Sequence, residues 1–207
     1  GMVYQREELQ PGGTTLTRKL VSTPAVQTLG AGQETRQFPY WSQKVEYLYE
    51  YGGSKNGQLI TQTTTNLTYD AYGNATTVST STVDKDSTSP WFNETHSTQT
   101  VNTITNDTTN WCLGRPTQTT VTNTSPGYTA QTRTTTGTID YVLCRPTQEV
   151  VEPSSSTLMV TRTFGYDTFG NVNSVAVVGK NSDATTMATR TTTTSYGTRG
   201  VFPEAVT

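Results

Sequence analysis

His96 is the only histidine in the 207 residues, set in Asn93-Glu94-Thr95-His96-Ser97-Thr98. A general base beside a hydroxyl is the chemistry this arrangement allows. Its sequence neighbours are polar and β-branched, so a histidine on the surface of a strand is the reading adopted. Cys112 and Cys144 have no histidine nearby in sequence, which leaves a Cys–His nucleophile pair without support. Two cysteines do not make a disulfide framework. They sit near matching points of two similar segments and could face each other. A disulfide therefore stays open, and two free, partly buried thiols are the expectation. Asp84-Lys85-Asp86-Ser87-Thr88 alternates oxygen ligands as a calcium loop does, but Ser89 stands where the loop needs glycine and no bidentate glutamate follows at the right spacing. A solvated turn accounts for it better. No catalytic, metal or cofactor site is expected, and the protein is read as a non-enzyme that uses no cofactor.

Binding is the next chemistry to weigh. Tyr40, Trp41, Tyr47, Tyr49 and Tyr51 form an aromatic stretch, and Trp41, Tyr47 and Tyr49 are the candidates for stacking on sugar rings. The competing reading makes this stripe a local core. Five Asn-x-Ser/Thr sequons occur, at Asn66, Asn74, Asn93, Asn106 and Asn123. With 48 threonines and 15 serines in the chain they come close to chance and do not indicate glycosylation.

Composition limits what can position such residues. Leu, Ile, Val and Phe together number 36, a share low enough to suggest disorder had the net charge been high. The formal charge is only −2, and 11 Tyr, 5 Phe and 3 Trp supply aromatic area, so a folded chain with a thin core is expected. Threonine is β-branched and favours strands, while its hydroxyl tolerates a wet face. No stretch repeats apolar residues at helical spacing over three turns, so little helix is expected. No Lys/Arg cluster could follow a phosphate backbone, which argues against nucleic acid. No apolar run approaches bilayer-spanning length, and residues 1–8 carry no apolar leader-like run.

The chain is punctuated by repeats. Leu67-Thr68-Tyr69-Asp70-Ala71-Tyr72-Gly73-Asn74 returns as Phe164-Gly165-Tyr166-Asp167-Thr168-Phe169-Gly170-Asn171. Both copies read Tyr-Asp-x-aromatic-Gly-Asn. Asp70 and Asp167 can accept bonds from amides two residues on, and Gly73 and Gly170 tolerate positive φ, so each copy predicts a hairpin connection. The aromatic pairs Tyr69/Tyr72 and Tyr166/Phe169 are expected to fold back over their turns. A second echo aligns Leu113-Gly114-Arg115-Pro116-Thr117-Gln118 with Leu143-Cys144-Arg145-Pro146-Thr147-Gln148. Proline cannot donate to a ladder, so Arg115-Pro116 and Arg145-Pro146 are read as strand entrances, and likewise Phe38-Pro39 and Phe202-Pro203. Alternation is clearest in Val45, Tyr47, Tyr49 and Tyr51 against Glu46 and Glu50. Leu158, Val160 and Phe164 alternate similarly. Roughly ten to thirteen strands are expected, with residues 84–93 as a longer loop and residues 52–57 and 125–127 as turns.

At the two Tyr-Asp-x-aromatic-Gly-Asn phrases the sequence resembles the Rhs/YD-repeat family, which includes bacterial Rhs proteins, the B and C components of insecticidal Tc toxins, and animal teneurins. Gly114-Arg115-Pro116-Thr117 and Ser195-Tyr196-Gly197 with Phe202-Pro203 resemble spacer segments of the Tc-toxin branch. The resemblance covers residues 38–207, read as one YD-repeat β domain of a longer protein. Residues 1–37 are unassigned, with strands of the same sheet expected. The resemblance implies an all-β fold, antiparallel hairpins forming an extended, curved sheet. Tyr69, Asp70, Gly73, Asn74, Tyr166, Asp167, Gly170 and Asn171 are the structural signature. No Asp-Pro-x-Gly-Leu cleavage site or appended toxin domain is found, so an open arc of a β-shell is expected.

The function this implies is structural: the wall of a shell around a toxin-like passenger polypeptide in a bacterial protein that is secreted or held at the cell surface. Partners would be that passenger or neighbouring repeats of the same chain. The alternative is an adhesive module that binds glycans or a cell-surface partner. Open sheet edges should also promote self-association.

Overall fold

The computed structural model describes residues 4–29 and 35–207. Of the N-terminal expectation, residues 1–3 and 30–34 fall outside the described part. Thirteen strands and no helix are present among the described residues: β1 (Gln5–Leu9), β2 (Leu16–Leu29), β3 (Arg36–Tyr49), β4 (Leu59–Tyr69), β5 (Ala75–Asp84), β6 (Thr95–Asp107), β7 (Cys112–Thr124), β8 (Gln131–Asp140), β9 (Arg145–Val151), β10 (Val160–Tyr166), β11 (Val172–Gly179), β12 (Arg190–Tyr196) and β13 (Pro203–Val206). They form one sheet in chain order, each strand beside its sequence neighbour, and the described pairings are antiparallel. The all-β, hairpin-built fold is therefore as the sequence indicates. Among the described residues no helix is long and apolar enough to cross a membrane, which says nothing of crossing by strands.

Two compact units divide the chain. The first runs to Asn102 and includes Val121–Thr132; the second comprises Thr103–Thr120 and Arg133–Thr207. Neither has a dry centre of the usual kind. Among the described residues, Cys112 is the only buried hydrophobic residue and Ser22 the only buried polar one. The threonines explain how a sheet holds without such a centre. In the first unit Thr63 faces Thr82 with hydroxyls 3.0 Å apart, Thr65 faces Thr80 at 3.2 Å, and Thr122 faces Thr132 at 3.1 Å. Thr120 and Thr134 repeat the pairing at 3.4 Å in the second. Each cross-strand pair adds a few tenths of a kcal/mol, up to about 1, to the backbone ladder and leaves methyl groups to pack beside it.

Several boundaries differ from the sequence expectation. β7 begins at Cys112, three residues before Arg115-Pro116, whereas β9 does begin at Arg145 and β13 at Pro203. Pro39 lies inside β3, opposite Val26. Pro24 also lies within a strand, at the register shift after Thr23, where a bulge relieves the ladder of a missing donor. Tyr51 and Leu158 fall outside their strands and are exposed, so neither extends its alternating row.

Candidate functional site

The first signature turn closes on its own atoms. The Asp70 amide donates to the Asn74 carbonyl at 2.9 Å, and the Gly73 amide donates back to the Asp70 carbonyl at 3.1 Å. The Asp70 carboxylate accepts the amides of Tyr72 and Asn74 at 2.8 and 2.9 Å and the Asn74 side-chain amide at 3.0 Å. Gly73 has φ +84°, the left-handed region that costs other residues strain. The second turn repeats this bond for bond. The Asp167 amide reaches the Asn171 carbonyl, Gly170 returns to the Asp167 carbonyl with φ +89°, and the carboxylate takes the amides of Phe169 and Asn171 at 2.9 Å. Burial pulls the Asp167 carboxyl upward, but the bonds from Asn171, Phe169 and Gly170 outweigh it and hold the group below its ordinary value.

The expected self-cover of these turns is not what closes them. Tyr72 and Phe169 are exposed. Cover comes from the strand before each hairpin. Phe38 of β3 lays its ring where a Gly73 Cβ would stand, with ring carbons 3.3 Å away, and Phe38 and Tyr40 pack on Tyr69 at centroid distances of 5.5 and 4.8 Å. In the second copy Arg145 of β9 takes this place, its guanidinium carbon 4.1 Å from the centre of the Tyr166 ring. The Tyr166 hydroxyl donates to the Pro146 carbonyl at 2.5 Å. Arg145 Nε is buried without a hydrogen-bond partner.

A third turn of this kind went unread in the sequence. Tyr196-Gly197-Thr198-Arg199-Gly200 keeps the tyrosine and the glycine at the same spacing but lacks Asp and Asn. The Gly200 amide donates to the Gly197 carbonyl at 2.7 Å, and φ at Gly200 is +62°. The pairing shifts register at the tyrosine in all three turns, at Tyr69, Tyr166 and Tyr196. The Phe169 ring lies against Gly200, so the second turn shelters the third. The legible signal was Tyr-x-x-x-Gly, hidden by the missing aspartate.

The two cysteines are joined. Cys112 and Cys144 form a disulfide with Cα atoms 5.2 Å apart, which corrects the expectation of free thiols. The echo alignment concealed this, because the matching turns begin at Asp107 and Asp140, an offset that places the residue before Cys112 level with Cys144. Asp107 caps the amides of Thr109 and Asn110, Asp140 those of Val142 and Leu143, and the fifth residue of each turn, Trp111 or Cys144, takes positive φ. The side chains of Cys112 and Cys144 then meet between neighbouring hairpins. Arg115 Nε donates to Cys144 Sγ at 3.4 Å.

His96 is exposed on β6, its Nδ1 3.1 Å from Ser125 Oγ, a hydroxyl 29 residues away. Among the described residues no carboxylate is hydrogen-bonded to the ring. Asp84 caps the Asp86 amide, and Asp86 caps the Thr88 amide and hydroxyl while pairing with Lys55 Nζ at 2.6 Å. The Lys55 bond, with those from Thr88, lowers the Asp86 pKa to about 2. The loop is therefore closed by its own groups and by Lys55, and no cluster of three or more metal-ligating residues occurs among the described residues. Tyr47 lies between Lys19 and Gln62 on the neighbouring strands, Tyr49 opposite Leu59, and a register shift at Ser42 separates Trp41 from their row. All three are half-buried. Three of the sequon asparagines accept hydrogen bonds across the sheet: Asn66 from Gln43, Asn106 from the Gly114 amide, and Asn123 from Thr98. In the second unit a shallow groove of about 500 Å³ opens over Gly137, lined by Arg115, Ile139, Glu149 and Phe164.

No protein-family model matches the chain, and no curated protein matches it. Among solved structures, a porin-like protein from Bacteroides uniformis is similar over 89% of this chain and 87% of its own, at 15% identity and a TM-score of 0.24. At that level of superposition it assigns neither family nor function.

Proposed function

We propose that this chain is a non-catalytic structural module, a section of YD-repeat sheet that forms part of a wall around a passenger polypeptide. The observation that carries the reading is the pairing of an extended hydrogen-bonded ladder with an almost absent dry core: one buried hydrophobic residue among the described residues of a thirteen-stranded sheet. Strands half-wet on both faces suit a partition between two aqueous spaces. They suit a packed sandwich poorly, since one face there should be apolar. The three tyrosine-led turns, each sheltered by the element before it, supply the repetition such a wall needs. The Cys112–Cys144 bridge supports a bacterial secreted or surface location, because disulfides persist in oxidising compartments. The capped loops and the lone, exposed His96 support a role without catalysis.

Limited proteolysis of the intact natural protein tests the reading. A polypeptide encoded beside this sheet should resist protease until the sheet itself is cut. Equal cleavage rates with and without the sheet would sink it. Glycan-array binding that disappears in a Tyr47→Ala/Tyr49→Ala variant would replace it with the adhesive reading. Hydrolysis of a test substrate abolished by His96→Ala would replace both.

A further inference from the structure

The second unit has two unlike ends. Its strands alternate in direction, so the turns at residues 108–111, 141–144, 167–171 and 197–202 lie at one end and those at residues 152–159 and 180–189 at the other. The first end carries Trp111, Val142, Leu143, Phe169, Val201 and Phe202, each between 56% and 77% exposed. The other end reads Glu152-Pro153-Ser154-Ser155-Ser156-Thr157 and Asn181-Ser182-Asp183-Ala184-Thr185, with Leu158 and Met187 as its exposed large apolar residues.

We propose that this apolar end docks shallowly into the interface of a phospholipid bilayer. Three observations favour lipid over a folded partner. The apolar side chains stand one or two to a hairpin, and turns on the same end are about 9–10 Å apart, two strand spacings. Such separated points give no contiguous core of the kind a protein interface packs, whereas a fluid interface closes around each one. In three of the four turns, tip amides are already occupied. Asp107, Asp140 and Asp167 hold those of Thr109 and Asn110, Val142 and Leu143, and Phe169 and Asn171, so entry into a drier medium leaves these donors satisfied. Arg115 and Arg199 form no ion pair among the described residues, and guanidinium groups beside apolar tips fit lipid phosphates. The same carboxylates, with Glu204, limit the depth to the tip side chains. The Cys112–Cys144 bridge gives the surface its rigidity, since it ties the Trp111 hairpin to the Val142–Leu143 hairpin. The surface belongs to the second unit whether or not the sheet encloses a passenger.

Single-tryptophan variants of the whole chain test this against vesicles of phosphatidylcholine brominated in the acyl chains. In Trp41→Phe/Trp91→Phe the remaining Trp111 should be quenched severalfold more than the reporter in Trp41→Phe/Trp91→Phe/Trp111→Phe/Leu158→Trp, which sits at the polar end. Vesicle flotation should fall by about tenfold or more in Trp111→Ser/Leu143→Ser, positions exposed enough to leave the fold and the disulfide intact. Absence of quenching, equal quenching at both ends, or flotation unchanged in the serine variant overturns the proposal. So does a change in sedimentation of that variant without vesicles that accounts for the loss, because the tips would then join two copies of the chain.

Discussion

The turns at residues 69–74 and 166–171 share their closing hydrogen bonds and differ in their shelters. In the first, Phe38 and Tyr40 close an aromatic group on Tyr69 and Gly73. In the second, a cation stacks on Tyr166 and the tyrosine hydroxyl donates to the preceding strand. The backbone path of the turn is thus set within six residues, while its cover is set by whatever the preceding strand presents. The second shelter is also anchored, because Arg145 follows a disulfide-bonded Cys144, and the first has no such staple.

Breaking that staple should have the largest effect. Cys112→Ser/Cys144→Ser is expected to destabilise the second unit by about 2–4 kcal/mol, read by urea unfolding. Hydrogen exchange should then rise at the Gly170 amide and stay unchanged at Gly73; equal acceleration at both would erase the contrast. Next comes Phe38→Ala, expected to cost about 2 kcal/mol because a half-buried ring loses part of a core aromatic's contribution. Its exchange signature should be the reverse, fast at Gly73 and unaltered at Gly170. Gly73→Ala and Gly170→Ala should each cost about 1–2 kcal/mol from the left-handed backbone. Gly73→Ala should cost more, since its Cβ meets the Phe38 ring at 3.3 Å while nothing approaches Gly170 closer than 3.9 Å.

Arg145→Ala should lose about 1 kcal/mol, the worth of a partly exposed cation over an aromatic face, and Arg145→Lys should recover some of it. The smallest effect is acid-dependent and belongs to the loop after β5. The Asp86 carboxyl titrates lower in the folded loop than in the free chain, so its contribution is complete above the ordinary carboxylate range and fades as pH falls toward about 2. Exchange of the Thr88 amide should follow that course, and Asp86→Asn should flatten it.

Much of the fold was legible. Threonine abundance, period-two alternation and the Tyr-Asp-x-aromatic-Gly-Asn phrases pointed to antiparallel hairpins, and Asp70, Gly73, Asp167 and Gly170 do in their turns what their chemistry suggests. Strand ends were less legible. Pro39 and Pro24 sit inside strands because a bulge or an unused donor position can absorb a proline, and no local pattern announces which will occur. The disulfide was obscured because the echo at Arg115 and Arg145 is offset by 30 residues, whereas the turns that bring the sulfurs together are offset by 33. The third tyrosine turn was obscured because its backbone closes without the aspartate that marks the other two.

The residues alone determined which segments extend and where they reverse, since φ preference, β-branching and a carboxylate's reach to amides two residues on are properties of adjacent atoms. Only the assembled sheet decided that Phe38 would shelter Gly73, that Arg145 would lie on Tyr166 and that Cys112 would meet Cys144. Those contacts depend on register between strands, and register is fixed jointly by the bulges and loop lengths of both partners.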